Sequence, residues 1–200
     1  MNAPPVAPTR PDVTASARSP SRGGWATAAV IVTIFVVVLG GYVASGALSE
    51  PAGQPVGIPG VVSVRPLSGW EFAGATRFEG GASVQLTRGS GNLLVTVLDP
   101  FGGGPDALAR LYEDSVLSGR LSQLSVSRNL EFVRLPSGLS GVRFAYVGVI
   151  ADSGTSVEGE VTAFVTPSGH GIVFNAWAPA GLLSFVRSDV RTMVSEAAVT

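Results

Sequence analysis

The chain has no cysteine, and all 13 of its basic residues are arginines. Without cysteine there can be no disulfide, no thiolate metal ligand and no lipid-modified thiol, so any exported domain must be stable through packing alone. A single histidine, His170, is too few for the usual zinc sets, and no Asp-x-Asp-x-Asp-Gly loop supplies a calcium cage. Charge is also scarce, at 14% of residues. From Val61 onward ten Arg stand against twelve Asp and Glu with both signs scattered, which leaves no electrostatic footprint for nucleic acid or an anionic membrane surface. We expect no metal, no cofactor and no nucleic-acid partner.

The longest gap in charge, Gly23 to Ser49, encloses Trp25 to Ala44, whose centre is apolar on every face of a helix. Twenty helical residues rise about 30 Å, the thickness of a bilayer's hydrocarbon core. This stretch therefore reads as one transmembrane helix, with Trp25 and Tyr42 at headgroup level. Arg10, Arg18 and Arg22 precede it and no arginine follows until Arg65, which places the N-terminus in the cytoplasm and the C-terminal domain outside it. Ser45-Gly46-Ala47 would also suit signal-peptide cleavage, the rival reading, although the apolar run is long and its preceding tail exceeds a typical n-region. Residues 1–24, rich in Pro, Ala, Ser, Thr and Arg, read as a disordered cytoplasmic tail. Residues 45–60, with three prolines and four glycines, read as a linker.

Residues 61–200 carry the periodicities of one extracytoplasmic α+β domain, able to fold without the membrane segment. Val61–Val64 predicts a short strand, followed by a turn at Pro66-Leu67-Ser68-Gly69-Trp70. Ala82–Thr87 and Asn92–Leu98 flank Arg88-Gly89-Ser90-Gly91 as a hairpin. Pro105–Leu117 repeats apolar residues at helical spacing, with Asp106 suited to the positive end of the helix dipole. Four strands then follow at Ser125–Leu135, Gly141–Ile150, Ser156–Thr166 and Gly171–Ala176, joined by short turns that imply an antiparallel meander. An amphipathic helix from Leu182 through Phe185 to Ala197 closes the chain.

Pro66-Leu67-Ser68-Gly69-Trp70, together with this order of elements over Val61–Ala197, resembles the PsbP-like fold, an α-β-α sandwich. The resemblance implies an antiparallel sheet of about six to seven strands flanked by helices, here on a single-pass anchor in the manner of an actinobacterial-type envelope protein. It also implies a non-catalytic accessory or binding role. No functional residue carries over from it.

Motifs for chemistry are thin. Gly138-Leu139-Ser140-Gly141 has its second glycine one position too early for a nucleophile elbow and reads as a turn. Phe101-Gly102-Gly103-Gly104-Pro105 lacks the lysine of a phosphate loop and reads as helix entry. Glu158 and Glu160 share a strand face as paired carboxylates would, or as a solvated face would. His170 reads as a solvated turn residue. Trp70, Phe72, Phe101, Trp177 and Phe185 are large side chains near element ends, mostly suited to core. Trp177 and Trp70 are the candidate binding residues, because Asn175-Ala176-Trp177-Ala178-Pro179 would carry Trp177 out of the last strand to a pocket mouth. The expectation is a membrane-anchored, non-catalytic binding or accessory module of the cell envelope, recognising a protein, peptide or lipid. The alternative is an envelope hydrolase with carboxylate or His-based chemistry.

Overall fold

A computed structural model describes residues 53–200; the tail, the expected span at Trp25–Ala44 and most of the linker lie outside the described residues. No helix among the described residues is long and apolar enough to cross a membrane.

Among the described residues, eleven strands form two sheets. The small one orders β1 (Val56–Ile58), β2 (Val62–Val64) and β11 (Ala198–Val199). Strand β1 thus falls inside the stretch expected as linker, because Val56 has a core to enter and is 8% exposed.

The large sheet orders β3 (Glu71–Phe78), β4 (Gly81–Arg88), β5 (Gly91–Leu98), β10 (Gly171–Pro179), β9 (Ser156–Val165), β8 (Ser140–Ile150) and β6 (Leu121–Val126), with β7 (Glu131–Arg134) also paired to β8. Every pairing is antiparallel. Eight strands exceed the six or seven expected, for two reasons. Strand β3 was hidden by its small residues Ala73, Gly74 and Ala75 and by a register shift between Phe72 and Gly74. The single strand expected over Ser125–Leu135 divides at Ser127-Arg128-Asn129-Leu130, so that β6 and β7 pair successive parts of the long β8. A bulge at Gln123, with φ 53°, further disrupts β6, a device that discourages edge-to-edge pairing.

The hairpin β4–β5 turns through Gly89-Ser90 as predicted, Gly89 supplying the positive φ of 55°. Helix α1 (Pro105–Tyr112) starts with Pro105 in its first turn and Asp106 at its positive end. Its continuation, Glu113–Leu117, widens to a π turn closed by the Ser118 N–H on the Glu113 carbonyl at 2.9 Å. Helix α2 (Ser184–Ser195) lies on the opposite face.

Strands β5, β9 and β10 bury side chains on both faces, which is why their apolar runs alternate poorly. Leu93, Val95, Phe164, Ile172 and Phe174 meet α2 through Val186, Val190 and Met193. Leu94, Val142, Phe144, Val161 and Val173 share a core with Leu108 and Tyr112 of α1 and Val116 of its π-turn continuation. Two cores therefore share one sheet. Phe185, expected among the buried residues of α2, is 74% exposed: a helix on a sheet buries one stripe, and that stripe runs through Val186, Val190, Met193 and Val194.

Candidate functional site

The two candidate tryptophans lie on opposite faces of the sheet. Trp70 is 2% exposed in the α2 core, where its indole N–H donates to Asp189 Oδ2 at 3.2 Å. Asp189 also accepts from Arg88 Nη1, so Trp70 and Arg88 together hold one flank of α2 against β3 and β4.

Trp177 stands inside β10 instead of beyond its end. The strand runs on to Pro179, which as a terminal strand residue needs no ladder N–H. Its side chain is on the α1 face and partly exposed. The register places Gly159 of β9 on one side of it and Asn92 of β5 on the other, with Thr87 of β4 opposite Asn92. Gly159 has no side chain because the Tyr146 ring fills that space; a Cβ there would lie 2.2 Å from Tyr146 Cζ.

Helix α1 packs on β8, β9 and β10. Beyond it, the same face of β5, β4 and β3 presents Asn92, Thr96, Gln85, Thr87 and Thr76, all partly exposed. Gln85 Nε2 donates to Asn92 Oδ1 at 3.1 Å, and Asn92 Nδ2 donates to the Ser90 carbonyl at 3.1 Å. The amides are thus held in fixed orientation. One aromatic edge borders a strip of uncharged hydrogen-bonding groups.

Under α1, on the same face of β10 as Trp177, lies a polar network that no sequence pattern announced. Tyr146 donates its hydroxyl proton to Asn175 Oδ1 at 2.9 Å, and Asn175 Nδ2 donates to the Tyr112 hydroxyl at 3.1 Å. All three residues are buried. Burial pushes Tyr112 up to about 12, partly offset by its hydrogen bond with Asn175 and by Arg120, and pushes Tyr146 up further. Burial lowers Arg120 to about 10, with Tyr112, Tyr146 and Asp152 opposing that shift, so it stays cationic at neutral pH. The weak sequence signal was the polar Asn175 between apolar neighbours at an inward position of β10.

On the other face, Glu158 and Glu160 do point the same way, but neither is a solvated strand residue. Glu160 is 7% exposed and accepts from Arg191 Nε at 3.1 Å and Nη2 at 2.6 Å, while Arg143 Nε stands 3.3 Å away. That hydrogen bonding holds Arg191 above its ordinary pKa. Arg143 also donates to Thr162 Oγ1 at 3.2 Å and to Glu131 Oε1 at 3.4 Å. Glu158 Oε1 accepts the Leu183 N–H at the start of α2, at 2.8 Å. Both carboxylates therefore anchor α2: one faces the positive end of its dipole, the other pairs with its Arg191. They became partly buried because α2 packs over β9, a contact between distant parts of the chain.

His170 sits at the β9–β10 turn as expected, partly covered. Its Nδ1 lies 3.0 Å from Ser168 Oγ and its Nε2 3.5 Å from Asp99 Oδ2, while Ser168 Oγ is also 2.8 Å from Thr166 Oγ1. The His170 N–H donates to Thr166 Oγ1 and the Gly169 N–H to the Thr166 carbonyl. A groove of 380 Å³ lies elsewhere, over the small sheet, lined by Pro55, Ile58, Val62 and Thr200 among others. No group of His, Asp and Glu suited to a metal ion occurs among the described residues, and every buried side-chain nitrogen and oxygen there has a hydrogen-bond partner.

No protein-family model matches the chain. No curated protein matches it in sequence. Among solved structures, the chain is similar to cyanobacterial PsbP (CyanoP) from Synechocystis sp. PCC 6803, at 17% identity and a TM-score of 0.49, covering 78% of this chain and 99% of that one. It is also similar to a point mutant of the protein Mog1, at 12% identity and a TM-score of 0.48 over 76% of this chain and 96% of that one. A third is the Saccharomyces cerevisiae Ran-binding protein Mog1p, at 12% identity and a TM-score of 0.48 over 73% and 94% of the two chains.

Proposed function

We propose that this protein is a membrane-anchored, non-catalytic binding module of the cell envelope, with Trp25–Ala44 as its single span and residues 53–200 outside the cytoplasm. The charge-free run and the arginine asymmetry around it support the anchor and its orientation. One observation supports the binding role: the face of β3, β4 and β5 beyond α1 carries fixed, partly exposed amides and hydroxyls beside Trp177. A rigid sheet presents these groups without reorganisation, which lowers the entropic cost of recognition.

The test uses intact cells. Protease added to spheroplasts should remove the domain, and a photo-crosslinker at Thr87 should trap a specific envelope component. Complete protection of residues 53–200, or no crosslink above that of a probe at Glu79, would overturn the proposal.

One observation favours a hydrolase reading: Ser168, His170 and Asp99 form a hydroxyl–imidazole–carboxylate series. Two features weigh against it. Ser168 shares its hydroxyl with Thr166, and the adjacent Gly169 and His170 amides, which would be needed to stabilise an oxyanion, already donate to Thr166. Fluorophosphonate labelling of Ser168 that disappears in His170→Ala would establish the hydrolase and refute the binding module.

A further inference from the structure

We infer that the strip bordered by Trp177 is a subsite for an uncharged polysaccharide chain, such as a neutral glycan of the envelope. This inference rests on the binding-module reading and names its ligand class.

The argument starts from chemistry. A sugar ring offers an axial C–H face, which stacks on an aromatic ring, and equatorial hydroxyls, which both donate and accept. Its natural counterpart is one accessible indole beside side chains that also do both, with no net charge. Trp177 supplies the indole, partly exposed, packed against the α1-side core and next in register to Gly159, over which the Tyr146 ring lies. Asn92, next to it in register, and Gln85, hydrogen-bonded to Asn92, supply amides; Thr87 and Thr96 supply hydroxyls. None of these five residues is charged.

Geometry adds a direction. Trp177, Asn92 and Thr87 form one row across β10, β5 and β4, and neighbouring strands lie about 4.8 Å apart. The row therefore spans about 10 Å, which suits two successive pyranose rings lying across the strands. Glu71 of β3 closes the row at the sheet edge.

A protein partner fits less well. The cores of protein interfaces are enriched in aromatics, Met and Arg and packed dry, whereas this strip has a single aromatic and four small polar side chains. A nucleic acid or an anionic lipid surface would require arginines in place of the amides.

The experiment uses the full chain in nanodiscs, titrated with tetrasaccharides of glucose, N-acetylglucosamine and arabinose and with the polyanion dextran sulfate, with tryptophan emission and calorimetry as readouts. Saturable binding of a neutral tetrasaccharide should weaken at least about tenfold in Trp177→Ala. It should weaken several-fold in Asn92→Ala, a partly exposed position whose variant keeps the fold, and remain unchanged in Phe132→Ala on distant β7. Absence of neutral-saccharide binding, binding unaffected by both site variants, or preference for dextran sulfate would overturn the inference. If no saccharide binds but the crosslink at Thr87 captures a protein, the glycan assignment falls and the binding module stands. Serine labelling dependent on His170 would instead remove the module itself.

Discussion

The buried Tyr112–Asn175–Tyr146 network makes a quantitative demand that Asn175→Ala would expose. The substitution strips Tyr146 of its hydroxyl's acceptor and Tyr112 of the amide that donates to it, in positions only 4% and 5% exposed. A buried polar group left without a partner costs about 1–3 kcal/mol, and loss of the amide adds a small cavity. The sum is about 3–4 kcal/mol, a large fraction of the ~5–15 kcal/mol that holds a domain together. For a domain of this size that corresponds to a fall in melting temperature of roughly 6–15 °C, read by near-ultraviolet circular dichroism of the full chain in detergent. The triple variant Tyr112→Phe, Tyr146→Phe, Asn175→Leu removes every polar atom of the network together. It should be less destabilised than Asn175→Ala, since neither tyrosine keeps a buried hydroxyl without a partner. If Asn175→Ala costs under about 1 kcal/mol, or the triple variant is the less stable of the two, the network is not what supports this part of the core.

Three further outcomes are expected. Gly159→Ala should destabilise by about 3 kcal/mol or more, because its Cβ would stand 2.2 Å from the ring of a tyrosine already fixed by Asn175, whereas Gly102→Ala, with no atom within 4 Å, should change stability by less than about 0.5 kcal/mol; denaturant titration of both decides. Glu160→Ala should cost about 2–4 kcal/mol by leaving the largely buried Arg143 with Thr162 and Glu131 alone, and Arg191→Ala about 1 kcal/mol because Arg191 is half exposed; the reverse order would contradict this account of α2 anchoring. Alkali should unfold the domain early. Burial raises the Tyr112 pKa to about 12 from an unfolded value of about 10, so its contribution is intact below pH ~10 and declines by about 1.4 kcal/mol per pH unit until the pH reaches the folded value. Tyr146 adds to that loss, and in a Tyr42→Phe chain tyrosinate absorbance should rise together with unfolding; tyrosinate formed in the still-folded domain near pH ~10 would contradict the burial argument.

Local rules account for the elements whose signals lie within a few residues. The hairpin at Gly89-Ser90, the strands β8 and β9, the helix entry at Pro105 and the amphipathic course of α2 follow from turn chemistry and from periods of 2 and 3.6, which depend only on backbone geometry. The charge-free run at Trp25–Ala44 lies outside the described residues, and its reading as a span rests on the sequence alone. The antiparallel α+β class followed from these pieces. The neighbours within the β4–β5 hairpin and the β8–β9–β10 meander followed too, but how the two halves of the sheet join did not. The join of β5 to β10, which places Asn92 beside Trp177, links positions far apart in the chain and depends on how two meanders close one sheet. The same closure buried Glu160 under α2, set Trp70 and Trp177 on opposite faces, and brought Tyr112, Tyr146 and Asn175 within hydrogen-bonding reach. Each of these is a contact between side chains whose partners are chosen by register. A shift of one residue in register turns every side chain to the other face, so the composition of the site was decided by the tertiary structure alone.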